Sequence, residues 1–198
     1  MDKIKLISVS SIAEGGKDTL FHIIQKKYPQ FEFKNIKFAN QLRNETYEIL
    51  EENFGYNVFS EDREQKEKFR NFLVLWADMK RKQNPQHYLN YIKYQLKHKN
   101  KKNIYVLTDL RFAQAEYDEI NFCLENGPVI HIEKYFLDKN NNKVFQPPPN
   151  RFEAENDPKI KNLSTHHIVW NHCNIQDIDK RIEFLYPYCK TVLDSILN

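Results

Sequence analysis

A single stretch near the N-terminus restricts the fold more than any other part of the sequence. Apolar residues dominate positions 4–9, the triplet Gly-Gly-Lys occupies 15–17, and apolar residues then recur at helical spacing over 20–24. A strand, a loop and a helix in this order arrange backbone N–H groups around a phosphate at the helix N-terminus, and the lysine reaches the outer phosphates. The stretch therefore predicts a phosphate-binding loop over 11–19.

Two residues of this loop differ from its commonest form. Ser11 stands where the first glycine is usual, and Asp18 stands where a serine or threonine usually contacts Mg²⁺. Ser11 is compatible with the loop if its backbone φ angle is negative, since a positive φ costs about 1–2 kcal/mol at a non-glycine residue. Asp18 can hold Mg²⁺ directly or through water, because hard cations bind carboxylates. The alternative is a turn whose glycines serve backbone geometry only.

Strands and helices alternate along the rest of the chain. Short apolar runs predict strands over 33–38, 104–107, 128–132 and 167–170. Helical periodicity covers 41–54, 61–82, 85–98, 112–125 and 175–196, the last of these disturbed near Pro187. The alternation predicts a single α/β domain over 1–198, with a mostly parallel sheet in a three-layer α/β/α arrangement. Residues 134–162 are rich in proline, asparagine and charge, which predicts a loop or lid.

A second candidate motif follows the strand predicted over 104–107. Asp109 and Arg111 lie just beyond that strand, at the edge where parallel sheets bind their ligands. Asp109 can orient Mg²⁺ or its waters there, and Arg111 can bind a phosphate through two hydrogen bonds. The alternative is that Asp109 caps the next helix while Arg111 is a surface charge.

The helical middle of the chain carries the third group of candidates. Arg70, Asp78 and Arg81 can share one face of a helix and line the wall of a pocket. Phe38 and Arg43 belong to a Phe-Ala-x-x-Leu-basic pattern after the second strand, and Arg43 can pair with a substrate phosphate. For the helix face the alternative is a set of solvated charges, and for Arg43 it is a plain surface cation.

Composition argues against several classes of partner. The net charge of +3, from 30 basic and 27 acidic residues, does not indicate a nucleic-acid-binding protein. Three cysteines without a CxxC pair suggest neither a disulfide framework nor a zinc site, and the seven histidines lack the partners that zinc requires. No apolar run has the length of a membrane span or signal peptide. We therefore expect a cytoplasmic protein, in the host cytoplasm if viral, that binds no membrane.

Taken together, these residues resemble the deoxynucleoside monophosphate (dNMP) kinases typified by tailed bacteriophages. The loop of that family ends in Gly-Lys-Asp-Thr, the residues found at 16–19. The family also has an Arg…Asp pair on a mid-chain helix, similar to Arg70 and Asp78. It has a strand that ends in Asp-x-Arg, similar to 109–111, with a glutamate a few residues later, similar to Glu116. These landmarks occur in the family order over nearly the whole chain.

The resemblance implies a P-loop kinase fold that transfers the γ-phosphate of ATP to a dNMP, with Mg²⁺ as cofactor. It implies an NMP-binding helical region over about 39–100 and a lid over about 134–162. ATP is expected to contact Ser11, Ala13, Glu14, Gly15, Gly16, Lys17, Asp18 and Thr19. The expected catalytic residues are Lys17, Arg70, Asp109 and Arg111, and the expected Mg²⁺ ligands are Asp18 and Asp109. The expected substrate contacts are Phe38, Arg43, Arg70, Asp78, Arg81, Arg151 and Glu155.

Other functions stay open at the level of the sequence. A kinase for another small phosphorylated acceptor fits the loop, because animal-type phosphomevalonate kinases have a similar Gly-Lys-Asp sequence. A P-loop protein that binds nucleotide or a partner without turnover fits the serine at position 11, and nucleic-acid binding is a weaker third option. The apolar residues of 41–59 and 184–197 fit either a homodimer interface or the core.

Overall fold

Two units divide the chain, and each follows from its own sequence pattern. The sheet unit, Met1–Ile36 with Asn100–Asn198, contains the β-branched apolar runs, whereas the helical unit, Lys37–Lys99, contains long amphipathic repeats. The structure is a computed structural model that describes residues 5–60, 62–97, 100, 102–114 and 116–197. Within these ranges no helix combines the length and the apolar character that crossing a membrane requires.

The sheet is mostly parallel. Its strands in the described residues are β1 (Lys5–Ser10), β2 (Phe33–Ile36), β3 (Ile104–Leu110), β4 (Val129–Leu137), β5 (Lys143–Phe145) and β6 (His166–Asn171). The parallel strands lie in the order β2-β3-β1-β4-β6, and β5 pairs antiparallel with the end of β4. Successive residues of β3 are buried although they point to opposite faces, so both faces of the sheet are covered. The predicted α/β fold is confirmed.

Helices connect these strands. In the described residues they are α1 (Lys17–Lys27), α2 (Phe38–Phe54), α3 (Arg63–Gln83), α4 (His87–Lys97), α5 (Glu119–Asn126), α6 (Arg151–Leu163) and α7 (Ile178–Leu197). Helices α1 and α7 share a core in which Ile24, Trp170 and Leu193 are buried. At the edge of this core the Tyr28 hydroxyl donates to Asp194 at 2.7 Å. This packing fixes α1, whose N-terminus forms the end of the predicted phosphate loop.

The segment over 134–162 is more regular than its composition predicts. Its asparagines form the tip of a hairpin between β4 and β5, where Asn141 has a φ of 60° and Asp138 accepts the N–H groups of Asn140 and Asn142. After the three prolines, α6 begins at an Asn150 cap and buries Ile160. The prediction of a plain loop was wrong, because asparagine turn chemistry and a capped helix both look polar in composition.

Two other helices differ from their predicted bounds. Helix α5 begins at Glu119, not at 112, because Asp118 adopts a left-handed φ of 55° and the Ala113 N–H donates to Asn156 on α6 instead of continuing a helix. Helix α7 continues through Pro187, where the sequence predicts a disturbance. Cys189 and Leu193 follow that proline and are fully buried, so packing holds the helix together there.

The helical unit has its own small core and a half-buried polar network. Leu50, Val58 and Phe69 form the apolar cluster. The Glu45 carboxylate on α2 accepts the indole N–H of Trp76 on α3 at 3.1 Å and lies 2.5 Å from Nε2 of His87, which begins α4. These hydrogen bonds lower the pKa of Glu45 against the opposing effect of its burial. A single carboxylate thus joins all three helices of the unit.

Candidate active site

The loop over 11–19 connects β1 directly to α1. Lys17 is the first residue of α1 and is buried, and its Nζ donates to the carbonyl oxygens of Ser11 and Ile12, each at 2.8 Å. These bonds fold the lysine back across the loop, so the loop closes into a ring. The side chain that the sequence assigns to the outer phosphates is therefore held at the centre of that ring.

Backbone angles in the loop explain how Ser11 replaces glycine. Among the described non-glycine residues, positive φ occurs at Glu14, Asp118 and Asn141, so Ser11 keeps an ordinary φ. The left-handed positions of the loop are instead Glu14, with φ 61°, and Gly16, with φ 105°. The serine imposes its own requirement, because a Cβ at Gly15 would lie only 1.7 Å from Ser11 Oγ. Ser11 thus carries no backbone strain but makes Gly15 obligatory.

Side chains from distant segments bind the carbonyl oxygens of the loop from outside. Gln146 Nε2 donates to Ala13 O at 2.9 Å, and Lys134 Nζ donates to Glu14 O at 2.6 Å. The Trp170 indole N–H donates to Gly15 O at 3.1 Å. These three contacts fix the orientation of the peptides that follow Ala13, Glu14 and Gly15, and the Gly15 N–H donates to Ile12 O at 3.1 Å. Tertiary contacts therefore hold the backbone of the loop in one conformation.

Trp170 also defines the space beside Gly16. A Cβ at Gly16 would lie 2.2 Å from Cζ2 of the Trp170 ring, and its φ of 105° already disfavours any other residue. Trp170 is buried at the end of β6. The sequence predicted a short strand there but gave no sign that its tryptophan contacts the loop.

Burial changes the protonation of the loop lysine. It lowers the pKa of Lys17 to about 8, and the nearby Arg111 guanidinium lowers it further, whereas Glu153, Asp18 and Asp109 act in the opposite direction. These named charges must all lie close to the lysine. The structure therefore places Asp18, Asp109 and Arg111 within electrostatic reach of Lys17.

Two of these carboxylates are of the type that binds magnesium ions in proteins. Asp18 is exposed in the first turn of α1, and Asp109 lies half-buried near the end of β3. No group of three or more His, Cys, Asp or Glu side chains forms a metal site among the described residues. Mg²⁺ in phosphotransferases usually binds one or two carboxylates, waters and the substrate phosphates, so this donor set suits it better than a metal held by protein alone.

A carboxylate that the sequence did not single out faces the same loop. Oε2 of Glu153 accepts the Ala13 N–H at 2.6 Å, and Oε1 lies 3.4 Å from Nη1 of Arg111. The predicted contacts Arg151 and Glu155 instead pair with each other at 2.6 Å on the exposed side of α6. The signal for Glu153 was its place three residues after Asn150, but that pattern predicts only a helix start.

Beneath the loop lies a buried polar pair. Ser10 Oγ at the end of β1 is 2.9 Å from Nδ1 of His131 on β4, and both residues are fully buried. Burial lowers the pKa of His131 to about 4 and raises the pKa of Asp157, on α6, to about 6. At neutral pH His131 is uncharged, so its 3.7 Å approach to Asp157 is a polar contact and not an ion pair.

A cleft opens beside the helical end of the loop. Its lining includes Gly16, Thr19, Trp170 and Asn171, with His172, Cys173 and Arg181 on the wall formed after β6. Arg181 holds that wall in place by donating to the backbone oxygen of Ile175 at 2.7 Å. The lining is mixed, because the cations Lys134 and Arg181 lie in it together with the Trp170 ring.

The helical unit presents its predicted site residues in different ways. Arg70 and Asp78 are exposed on α3 and pair with neighbours on their own helix, Glu67 and Lys82, each at 2.7 Å. Arg81 is buried, with its guanidinium 4.8 Å from the Tyr88 ring centroid, so it does not share their exposed face. Phe38 is buried as the first residue of α2, and Arg43 is half-buried one turn later.

The sequence matches one protein-family model over more than half of its length. The model is that of phosphomevalonate kinase, and the matched residues are 9–121 of 198. The chain belongs to the phosphomevalonate kinase family. The matched segment contains the loop with Lys17, all of the helical unit, and Asp109 with Arg111. As a member of this family the chain is a P-loop kinase, an ATP-dependent phosphotransferase that acts on a small substrate.

Solved structures similar to this phosphomevalonate kinase family member include other kinases. Dephospho-CoA kinase from Campylobacter jejuni has 15% sequence identity and a TM-score of 0.49, with 96% of each chain covered. Shikimate kinase from Aquifex aeolicus has 12% identity and a TM-score of 0.44, covering 94% of this chain and 97% of that one. No curated protein matches the sequence significantly. At such identities the substrates of those enzymes do not indicate the substrate of this chain.

Proposed function

We propose that the protein transfers the γ-phosphate of ATP to the phosphate of a deoxynucleoside monophosphate. The observation that supports the transfer is the buried Lys17, folded across a preorganised loop with Arg111, Asp109 and Asp18 around it. Phosphoryl transfer needs alignment and charge stabilisation more than covalent chemistry from the protein. These four side chains supply both, so the proposal requires no catalytic base.

Each group of the site has a defined part in this proposal. Lys17 neutralises the β- and γ-phosphates, Thr19 contacts the α-phosphate, and Arg111 neutralises charge that develops during transfer. Asp18 and Asp109 would hold Mg²⁺, which when bound screens the charge of the phosphates. The cleft beside Gly16 takes the adenine. The segment over 134–162 acts as a lid that excludes water.

We assign the acceptor to the helical unit. The Gly-Lys-Asp-Thr sequence of the loop supports a dNMP, since the dNMP kinases it resembles share these residues. Phe72 and Trp76 on α3 are half-buried and stacked with ring centroids 6.0 Å apart, which offers aromatic faces to a nucleobase. Arg43 and Arg70 would neutralise the acceptor phosphate, and Asp78 would contact base or sugar.

A second candidate acceptor is phosphomevalonate, and the match to the phosphomevalonate kinase family favours it. This acceptor offers a phosphate and a carboxylate, which suit the arginines, but it has no ring to stack on Phe72 or Trp76. The two acceptors therefore differ in what they require from the helical unit, while their requirements from the loop are the same.

Coupled ADP release tests both candidates in one assay. ATP–Mg²⁺ is mixed with dTMP, dGMP, dCMP, dAMP, dUMP or phosphomevalonate, using the unmodified protein and Lys17→Ala. We expect ADP release with at least one dNMP and none in the variant. ADP release with phosphomevalonate and with none of the dNMPs would show that phosphomevalonate is the acceptor. Undiminished release in the variant would show that the loop is not the phosphate site.

A further inference from the structure

The carboxylate of Glu153 contacts the donors that the proposed function assigns to phosphate. Its Oε2 accepts the Ala13 N–H at 2.6 Å, and its Oε1 lies 3.4 Å from Arg111 Nη1. Its charge also raises the pKa of Lys17 against the effect of burial, so the carboxylate lies within electrostatic reach of the loop lysine. One anion therefore faces a loop N–H, the arginine and the lysine at once.

Helix capping does not account for this position. In a capping box the glutamate three residues after the cap turns back to the backbone of its own helix. Here the Asn150 side chain accepts the Glu153 N–H at 2.9 Å, which is one half of that motif. The Glu153 carboxylate, however, makes its shortest contact with Ala13, 140 residues away, and lies 3.4 Å from Asn150 Nδ2.

Helix α6 presents this acidic group inward while its neighbours face solvent. The Glu153 side chain is 11% exposed, against 92% for Arg151 and 53% for Glu155. A carboxylate withdrawn from water to this extent needs compensating donors, and the loop supplies them. The contact is thus specific to this side chain.

We propose that Glu153 competes with the γ-phosphate of ATP for the outer end of the loop, so that ATP binding displaces the N-terminal end of α6. This proposal rests on the proposed function in that the loop binds ATP. A carboxylate and a phosphate cannot share the same donors, because their like charges repel. The phosphate carries more charge and can bind Arg111 through two hydrogen bonds, so it displaces the carboxylate at the expense of part of its affinity.

The test measures nucleotide affinity and not turnover. Titration calorimetry compares the unmodified protein, Glu153→Gln and the control Glu183→Gln with ATP–Mg²⁺, ADP–Mg²⁺ and adenosine. Glu183 is an exposed carboxylate paired with Lys27 at 2.7 Å, so its substitution removes an ion pair away from the loop. We expect Glu153→Gln to bind ATP about tenfold more tightly, ADP with a smaller gain and adenosine unchanged.

Each other outcome has a definite meaning. Equal or weaker ATP binding by Glu153→Gln overturns the proposal and makes Glu153 a structural support of the loop. If that variant does not fold, Glu153→Asp replaces it, because the shorter side chain keeps the charge but withdraws it from Ala13. No nucleotide binding by any variant overturns this proposal together with the proposed function. Tighter ATP binding without transfer to any acceptor overturns the proposed function alone.

Discussion

The phosphate loop of the sheet unit and the candidate acceptor residues of the helical unit are held in opposite ways. The loop is bound from outside by Gln146, Lys134 and Trp170, which come from separate strands and connections. Arg70 and Asp78 pair with Glu67 and Lys82, which lie one turn away on their own helix. Tertiary contacts therefore hold the proposed phosphate donor site, whereas the residues proposed for the acceptor are exposed side chains with partners on their own helix.

The half-buried polar contacts of the helical unit serve a different purpose. Glu45 joins α2, α3 and α4 through Trp76 and His87. This network connects the three helices of the helical unit. It does not involve Arg70 and Asp78, the exposed residues of α3. Substitution of Lys17 should therefore change activity, and substitution of Glu45 should change stability.

The largest effect is expected at the centre of the loop. Lys17→Ala should lower kcat/KM for ATP by about a thousandfold or more, because the proposed function makes the buried ammonium the main charge that neutralises the outer phosphates. Lys97→Ala, an exposed lysine of the helical unit, is the matched control. Steady-state ADP release measures the activity of both variants. Similar losses of activity would contradict the assignment of the phosphate donor site to the loop of the sheet unit.

The two left-handed glycines give the next largest effect. Gly16→Ala should lower the free energy of unfolding by about 3 kcal/mol, since it adds a clash with Trp170 to an unfavourable φ. Gly55→Ala, with φ 65° and nothing within 4 Å of the new Cβ, should lose only about 1 kcal/mol. Urea unfolding followed by circular dichroism measures the difference, and equal losses would refute the role of Trp170.

The polar network of the helical unit should show a moderate effect on stability. Glu45→Ala removes the shared acceptor of Trp76 and His87 and should cost about 2 kcal/mol of unfolding free energy. Glu48→Ala, an exposed glutamate of the same helix, should change stability by less than about 0.5 kcal/mol. Thermal unfolding of both variants tests this, and retained KM for ATP in Glu45→Ala would confirm that the donor site is independent of the network.

The smallest expected effect is a pH dependence of ATP affinity. The Lys17 pKa of about 8 lies below that of an ordinary lysine, so the free protein loses this charge as the pH rises above 8. ATP should therefore bind more weakly by up to about tenfold per pH unit above that value. Calorimetric titrations between about pH 7 and pH 9.5 measure the slope. Lys17→Arg stays protonated over this range and should remove the pH dependence of ATP affinity. An unchanged slope in this variant would show that another group causes the pH dependence.

The same lowered pKa has the opposite consequence for folding. Between about pH 8 and the value of a free lysine, the unfolded chain binds more protons at Lys17 than the folded chain does. This lysine therefore adds stability as the pH rises through that window, while it weakens ATP binding over the same range. Measuring the free energy of unfolding and the ATP affinity of the same protein over this pH range separates the effect on stability from the effect on binding.

The sequence by itself determined the loop over 11–19, the parallel α/β sheet and the place of Asp109 and Arg111 at the end of β3. These features depend on local backbone geometry and on hydrophobic periodicity, which neighbouring residues encode. The composition of 134–162 predicted a lid but not its hairpin and helix, because polar turns, caps and loops draw on the same residues.

Only the tertiary structure decided what surrounds the loop. The contacts of Lys134 and Trp170 with loop carbonyls join residues 120 and 155 positions apart, and that of Glu153 joins residues 140 apart. Which face of α6 points inward, and hence that Glu153 faces the loop while Glu155 faces solvent, depends on how the helix packs on the sheet. No local pattern records that packing, since both glutamates are equally polar in sequence.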